Sequence, residues 1–201
     1  MKDHLILFDG SRKMHASLPL TAMHEVTVLR GEPKIERVEA QALTDNFAAK
    51  YHNRQRNQVD GRAFLQALNE TEVMQHYPDA GKIILLDSDL YVGRLNWCFG
   101  SMTSTLGGLG YIVLSTNRMK DTIHAKDIIR HELGHMFKAP SQGRRNTKES
   151  LGLHCTMSDC VMQQKLDVRE AIRYAHQRSR KSSPIFCPDC EKDLRAYVAP
   201  R

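Results

Sequence analysis

The sequence predicts an α/β protein in one compact domain, a twisted mixed sheet packed on a central helix, with a C-terminal helical part stapled by cysteines. Three observations predict it. Two near-continuous apolar runs, Lys82–Leu86 and Tyr111–Ser115, suit strands buried on both faces. Over residues 1–137 two strands, two helices, three strands and the helix that carries His131 follow one another, an α/β pattern that layers helices against a sheet. Four of the five cysteines form two close pairs, Cys155/Cys160 and Cys187/Cys190, with a helical segment between them.

Taken in order, Leu5–Phe8 and Val26–Leu29 have the β-branched, apolar character of strands, separated by a polar stretch containing Gly10 and Pro19. A helix is expected from Leu43 to about Tyr51. Residues 51–60 are polar, and Asp60 can cap a helix from Arg62 to about Met74, in which Phe64, Leu65 and Leu68 share a face. The strand Lys82–Leu86 is closed by Asp87–Tyr91. Leu95–Met102 alternates as a half-exposed edge strand would, and a loop with Gly107, Gly108 and Gly110 leads into Tyr111–Ser115. Asn117 and Asp121 introduce a helix whose Ile128, Ile129, Glu132, Leu133, Met136 and Phe137 fill one half-circle at about 100° per residue, with His131 and His135 beside it. Residues 138–150, with Pro140, Gly143, Arg144, Arg145 and Lys148, read as an inserted, exposed basic loop. A C-terminal part, 151–201, follows, with a helix from about Leu166 to Arg178 packing through Val168, Ile172, Tyr174 and Ala175, and a polar tail. No repeat or low-complexity segment interrupts the single domain expected over 1–201.

Composition narrows the function. The 201-residue chain can bury a full core, and no apolar run approaches the roughly 18–20 residues of a membrane helix. Leu5–Phe8 is too short for a signal-peptide core, so the expected location is cytoplasmic, with no membrane partner. In a reducing compartment, paired cysteines argue for metal ligation over disulfides. The net charge of +6 lies in the C-terminal third: residues 1–140 hold 17 Lys/Arg and 16 Asp/Glu, residues 141–201 hold 12 and 7. A solvated helix face and tail account for such an excess; a nucleic-acid contact is the sharper alternative and the less favoured one.

The chemistry concentrates in His131-Glu132-Leu133-Gly134-His135. Histidines at i and i+4 lie one turn apart and can both reach one Zn²⁺ at about 2.0–2.1 Å, while the intervening Glu can reach its water without being a ligand. A catalytic zinc needs a third protein ligand, and His154, fixed by its neighbour Cys155, is the best candidate. The other seven histidines (4, 15, 24, 52, 76, 124 and 176) lie in polar or unpatterned surroundings. Cys155-x4-Cys160 and Cys187-x2-Cys190 are two chelating pairs that can close a tetrahedral shell around a structural Zn²⁺ at about 2.3 Å. The alternative is two unrelated buried pairs. Cys98, alone on its segment, reads as a small buried apolar residue.

These motifs resemble the archaemetzincins, a compact branch of the metzincin zinc peptidases. That family reads HExxHxxGxxHC, then four residues, Cys, one residue, Met, and later CxxC. Here His131–His135 is followed by His154-Cys155-Thr-Met-Ser-Asp-Cys160-Val-Met162 and Cys187-Pro-Asp-Cys190, and upstream Asn53–Gln58, Asp87–Tyr91 and Trp97–Gly100 resemble further family segments. The resemblance covers about residues 50–195. It implies a metzincin-like fold with two Zn²⁺, one catalytic on His131, His135 and His154 and one structural on Cys155, Cys160, Cys187 and Cys190. It further implies Glu132 as general base, Met162 as the methionine turn beneath the metal, and Leu95–Met102 as the cleft rim along an extended peptide. The expected function is a zinc-dependent peptidase, aminopeptidase or endopeptidase, in which Glu132 takes a proton from a zinc-activated water and returns it to the leaving amine. The alternative is a non-catalytic zinc-stabilised module whose basic C-terminal third contacts nucleic acid or a protein. The chain departs from the family in one place: Lys138 stands where the family has Gly, and His154 follows His135 by nineteen residues instead of six. Closing a longer loop costs only about 0.6 kcal/mol per doubling, so the third His can still arrive. The insertion suggests a lid over the cleft or a preference for acidic substrates.

Overall fold

The computed structural model describes residues 4–31, 34–103 and 109–197. The chain order begins β1 (His4–Gly10), α1 (Ser17–Thr27), β2 (Lys34–Glu39), α2 (Gln41–Lys50), β3 (His52–Asn53), β4 (Gln58–Asp60), α3 (Gly61–Asn69) and α4 (Glu72–Gln75). It continues with β5 (Gly81–Leu86), β6 (Leu90–Tyr91), β7 (Gly100–Thr103), β8 (Tyr111–Ser115) and α5 (Thr122–Met136). The C-terminal part holds β9 (Thr147–Glu149), β10 (Leu153–Cys155), α6 (Val168–Arg180) and α7 (Pro188–Ala196).

Five strands form one mixed sheet in the order β2-β1-β5-β8-β7, parallel from β2 through β8, with β7 antiparallel at the edge. The inner strands carry apolar residues on both faces because both faces are covered, with the buried Asp9, Lys82 and Ser115 as the polar exceptions. Leu5, Leu7, Ile83, Leu85, Ile112 and Leu114 turn toward α1 and α5, into a cluster that also takes in Met162, Phe186 and Leu194. Ile6, Phe8, Ile84, Leu86 and Val113 turn the other way, onto Phe64, Leu65 and Leu68 of α3. Each such side chain contributes about 1.5–3 kcal/mol on burial. A small sheet, β3-β4-β6, and the hairpin β9–β10 complete the strands among the described residues. No helix among those residues is long and apolar enough to cross a membrane.

The buried strands, the α3 cap and the α5 helix lie where the sequence places them; the periphery differs. Val26–Leu29 is not a strand: it ends α1, where Leu18, Ala22 and Val26 repeat every four residues along the core face, and a 3-10 turn follows. The second strand is instead Lys34–Glu39, whose alternating charges mark an exposed edge. The helix expected over Arg62–Met74 breaks at Thr71, whose hydroxyl accepts from Met74 N and starts α4. Of Leu95–Met102 only the end pairs with β8, because Cys98 N donates to Leu90 O at 2.9 Å and draws the preceding residues toward β6. The loop containing Gly107 and Gly108 lies largely outside the described residues. Past Cys187 the expected polar tail is a helix, α7, with Cys187 at its N-cap and Pro188 in its first turn. Along α6 the buried positions are Ala171, Ala175 and Arg178, with Ile172 and Tyr174 only partly covered.

Candidate active site

Helix α5 forms the floor. Asp121 caps it by accepting from Ile123 N and His124 N at 3.0 and 2.9 Å, and Ile128, Ile129, Leu133 and Met136 anchor it in the core. It ends in a Schellman motif: Lys138 N donates to His135 O at 3.0 Å and Ala139 N to Gly134 O at 2.9 Å. Lys138 takes the left-handed conformation this stop requires, φ +56°, so the position where the family has Gly turns the chain without one.

The segment expected to be an exposed basic loop is in part a hairpin. Its last residues, β9, pair antiparallel with β10, and Ser150-Leu151-Gly152 make the tip. On its other side Cys155 N donates to Met162 O at 3.0 Å. Held from both sides, β10 brings His154 to α5. His131, His135 and His154 place one donor atom each within 4.8 Å of the others. His131 Nδ1 donates to Val161 O at 2.8 Å and His154 Nδ1 to Gly152 O at 3.0 Å, which fixes both Nε2 atoms as acceptors facing the centre. His131 and His135 bring their Nε2 atoms to 3.1 Å. Two nitrogens bound to one tetrahedral metal at about 2.0–2.1 Å stand about 3.3 Å apart, so the donor set fits a zinc ion. Burial pushes the His131 pKa down to about 4 and lowers those of His135 and His154, leaving the imidazoles neutral as ligation requires.

Glu132 lies on the same helix, and burial pushes its pKa up to about 7. Its carboxyl sits against β7 so closely that a Cβ at Gly100 would stand 3.0 Å from Glu132 Cδ. Beneath the histidines, a Cβ at Gly134 would stand 2.2 Å from Met162 Sδ, so Met162, fully buried, packs directly on the helix between His131 and His135. Neither glycine stands out in the sequence, because the HExxH pattern leaves Gly134 unspecified and Gly100 reads as a strand residue. Cys98 borders the same cleft, but burial pushes its thiol up to about 12, so it is no nucleophile.

The second cluster joins Cys155, Cys160, Cys187 and Cys190, again within 4.8 Å of one another. Cys155 and Cys187 are 3.7 Å apart at sulfur, far beyond a disulfide and close to the ~3.8 Å edge of a tetrahedron with 2.3 Å arms. Hydrogen bonds from the Cys160 and Cys190 thiols hold the Cys155 pKa low. Met157 N donates to Cys155 Sγ and Cys187 N to Cys160 Sγ, both at 3.4 Å. The sequence missed Arg144, which donates to Cys190 Sγ at 3.1 Å and Cys155 Sγ at 3.4 Å while pairing with Asp193 at 2.8 Å. It also missed His124, which is buried near the start of α5. Among the described residues these two clusters are the ones that could hold a metal ion.

No protein-family model and no curated protein matches the sequence. Solved structures do resemble the fold. The archaemetzincin of Methanopyrus kandleri is 25% identical, with a TM-score of 0.63 over 97% of this chain and 93% of that one. The archaemetzincin of Archaeoglobus fulgidus, solved with malonate, is 19% identical, with a TM-score of 0.62 over 96% and 99% of the two chains. A zinc-dependent peptidase from Methanocorpusculum labreanum is 16% identical, with a TM-score of 0.59 over 95% and 99%. The architecture is therefore archaemetzincin-like, a mixed α/β domain with a cysteine cluster in its C-terminal part.

Proposed function

We propose that the protein is a zinc-dependent peptidase acting on peptide or protein substrates, with His131, His135 and His154 as ligands of the catalytic zinc and Glu132 as general base. The observation that carries this reading is the convergence of three imidazole donor atoms within 4.8 Å, two of the rings oriented through Nδ1, beside the half-buried Glu132 carboxyl of α5. The neighbouring structures described as archaemetzincins and as a zinc-dependent peptidase support it. Zinc held there supplies an activated water and polarises a scissile carbonyl. Glu132, half-buried at the cleft and drawn toward neutral pH in its titration, would accept the proton released during attack and pass it to the leaving amine. Met162 supports the helix under the ligands. Cys155, Cys160, Cys187 and Cys190 would hold a second, structural zinc that fixes β10. Part of the basic C-terminal charge serves the fold, since Arg144 and Arg178 are paired internally with Asp193 and Asp127.

Glu132→Gln tests the reading. It should keep the metal content and unfolding temperature of the parent and lower peptide turnover by about 10²–10⁴. Undiminished turnover in that variant overturns the assignment.

A further inference from the structure

The hairpin that carries His154 has Leu151 at its tip, 63% exposed, with φ +54°. A branched, bulky residue is strained in the left-handed region, where Gly or Asn is at ease, and an exposed Leu gains nothing from burial. Neither turn chemistry nor the core accounts for it. Its position does. Leu151 borders two cavities that meet at His131, Glu132 and His154, one of about 350 Å³ and one of about 1080 Å³.

The smaller cavity is walled by Trp97, Phe99 and Tyr174. That wall is set before any substrate arrives: Trp97 packs edge-on to Phe99 at 5.0 Å and lies under Arg118, 4.9 Å from its ring, while Asp89 grips the guanidinium. Leu166, 62% exposed, borders the same cavity. Two leucines and three aromatic rings give the pocket beside Glu132 a mainly apolar wall, to which Asp127, Gln163 and Lys165, whose ammonium lies 4.1 Å from the Tyr174 ring, add a polar side.

Resting on the peptidase reading, we infer that Leu151, at the tip of the hairpin, is a specificity-determining residue that contacts the substrate side chain beside the scissile bond. The strain at the tip is the cost of presenting the Leu151 side chain.

The test uses two peptides differing only in a Phe or Ala beside the scissile bond, with the wild type, Leu151→Gly and Leu151→Asn. The readouts are the Phe-to-Ala ratio of kcat/KM and, for peptide binding, the Phe-to-Ala ratio of Kd by calorimetry on zinc-loaded Glu132→Gln protein with and without each Leu151 change. The wild type should favour the Phe peptide, and both Leu151 variants should shrink that preference roughly tenfold. Both replacements suit the left-handed turn, so each should unfold at or above the wild-type temperature, which keeps the comparison free of misfolding. A ratio unmoved by both variants, an equal loss for both peptides, or no preference for Phe in the wild type overturns the assignment of Leu151. If the wild type cleaves neither peptide while binding still shows the Leu151-dependent preference, the peptidase reading fails and the assignment of Leu151 stands.

Discussion

Lys138 ends α5 in the left-handed region with its side chain exposed. A non-glycine residue is held there at a cost of about 1–2 kcal/mol. Replacing it by Gly removes that strain but gives the unfolded chain more freedom, worth about 0.5–1 kcal/mol in the opposite direction. The strain is the larger quantity, so Lys138→Gly should stabilise the protein by about 0.5–1 kcal/mol, raising the unfolding temperature by about 1–4 °C. A lower temperature in a thermal melt would mean that the lysine side chain makes a contact worth more than the turn. Single residues were legible when their role is local. Asp60 reads as a helix cap from the sequence alone, and its Oδ1 accepts from Arg62 N and Ala63 N, both at 3.1 Å. Gly100 and Gly134 do not stand out in it, because what demands a missing Cβ at each is a side chain from a distant segment, Glu132 or Met162.

Among elements, the stretch from Lys138 to Cys155 shows how a charged segment can be misread. Arg144 counts as surface charge in the sequence. In the fold it reaches 49 residues along the chain to Asp193 of α7, which also accepts from Ser141 N and Ser141 Oγ. The guanidinium thus pins the insertion to α7 and donates to the sulfurs of Cys155 and Cys190, and the hairpin grows from that anchor. Charge-assisted hydrogen bonds of this kind contribute about 1.5–3 kcal/mol. Arg144→Met should therefore destabilise by about 2–3 kcal/mol, lower the unfolding temperature by about 5–10 °C, and speed zinc loss from the cysteine cluster to a chelator. A variant within about 0.5 kcal/mol of wild type, the scatter of ordinary surface substitutions, would show that the loop is held by its strand pairing alone. Edge elements were the hardest to read for a related reason. β2 shows water a row of charges, and Val26–Leu29 is too short for its spacing to separate a strand from the last turn of a helix.

Across the whole molecule the two candidate metal clusters are mechanically one unit. His154 and Cys155 are consecutive on β10, with one donor for each cluster. Cys160 is followed by Val161, whose carbonyl orients His131, and by Met162, which packs under α5. The buried strands made the fold class legible, and residue types at metal-ligand spacing made both clusters legible; their coupling was not, since it depends on β10 being gripped from both sides. On the two-zinc reading this coupling is asymmetric. Losing the cysteine metal frees β10 and the Val161 carbonyl together, whereas losing the histidine metal leaves β10 paired and α5 capped. Cys190→Ala, in α7 and outside the histidine cluster, should thus lower the unfolding temperature by about 10–20 °C, as expected for roughly 5 kcal/mol in a chain of this size. It should also weaken cobalt binding at the histidine cluster, read from the visible spectrum of the tetrahedral ion. His131→Ala should leave the thiolate-to-cobalt absorption of the cysteine cluster in place and shift the melting temperature far less. A Cys190→Ala protein that retains full affinity at the histidines would sink the coupling, because the third ligand would then be held by the hairpin without help from the cysteine site.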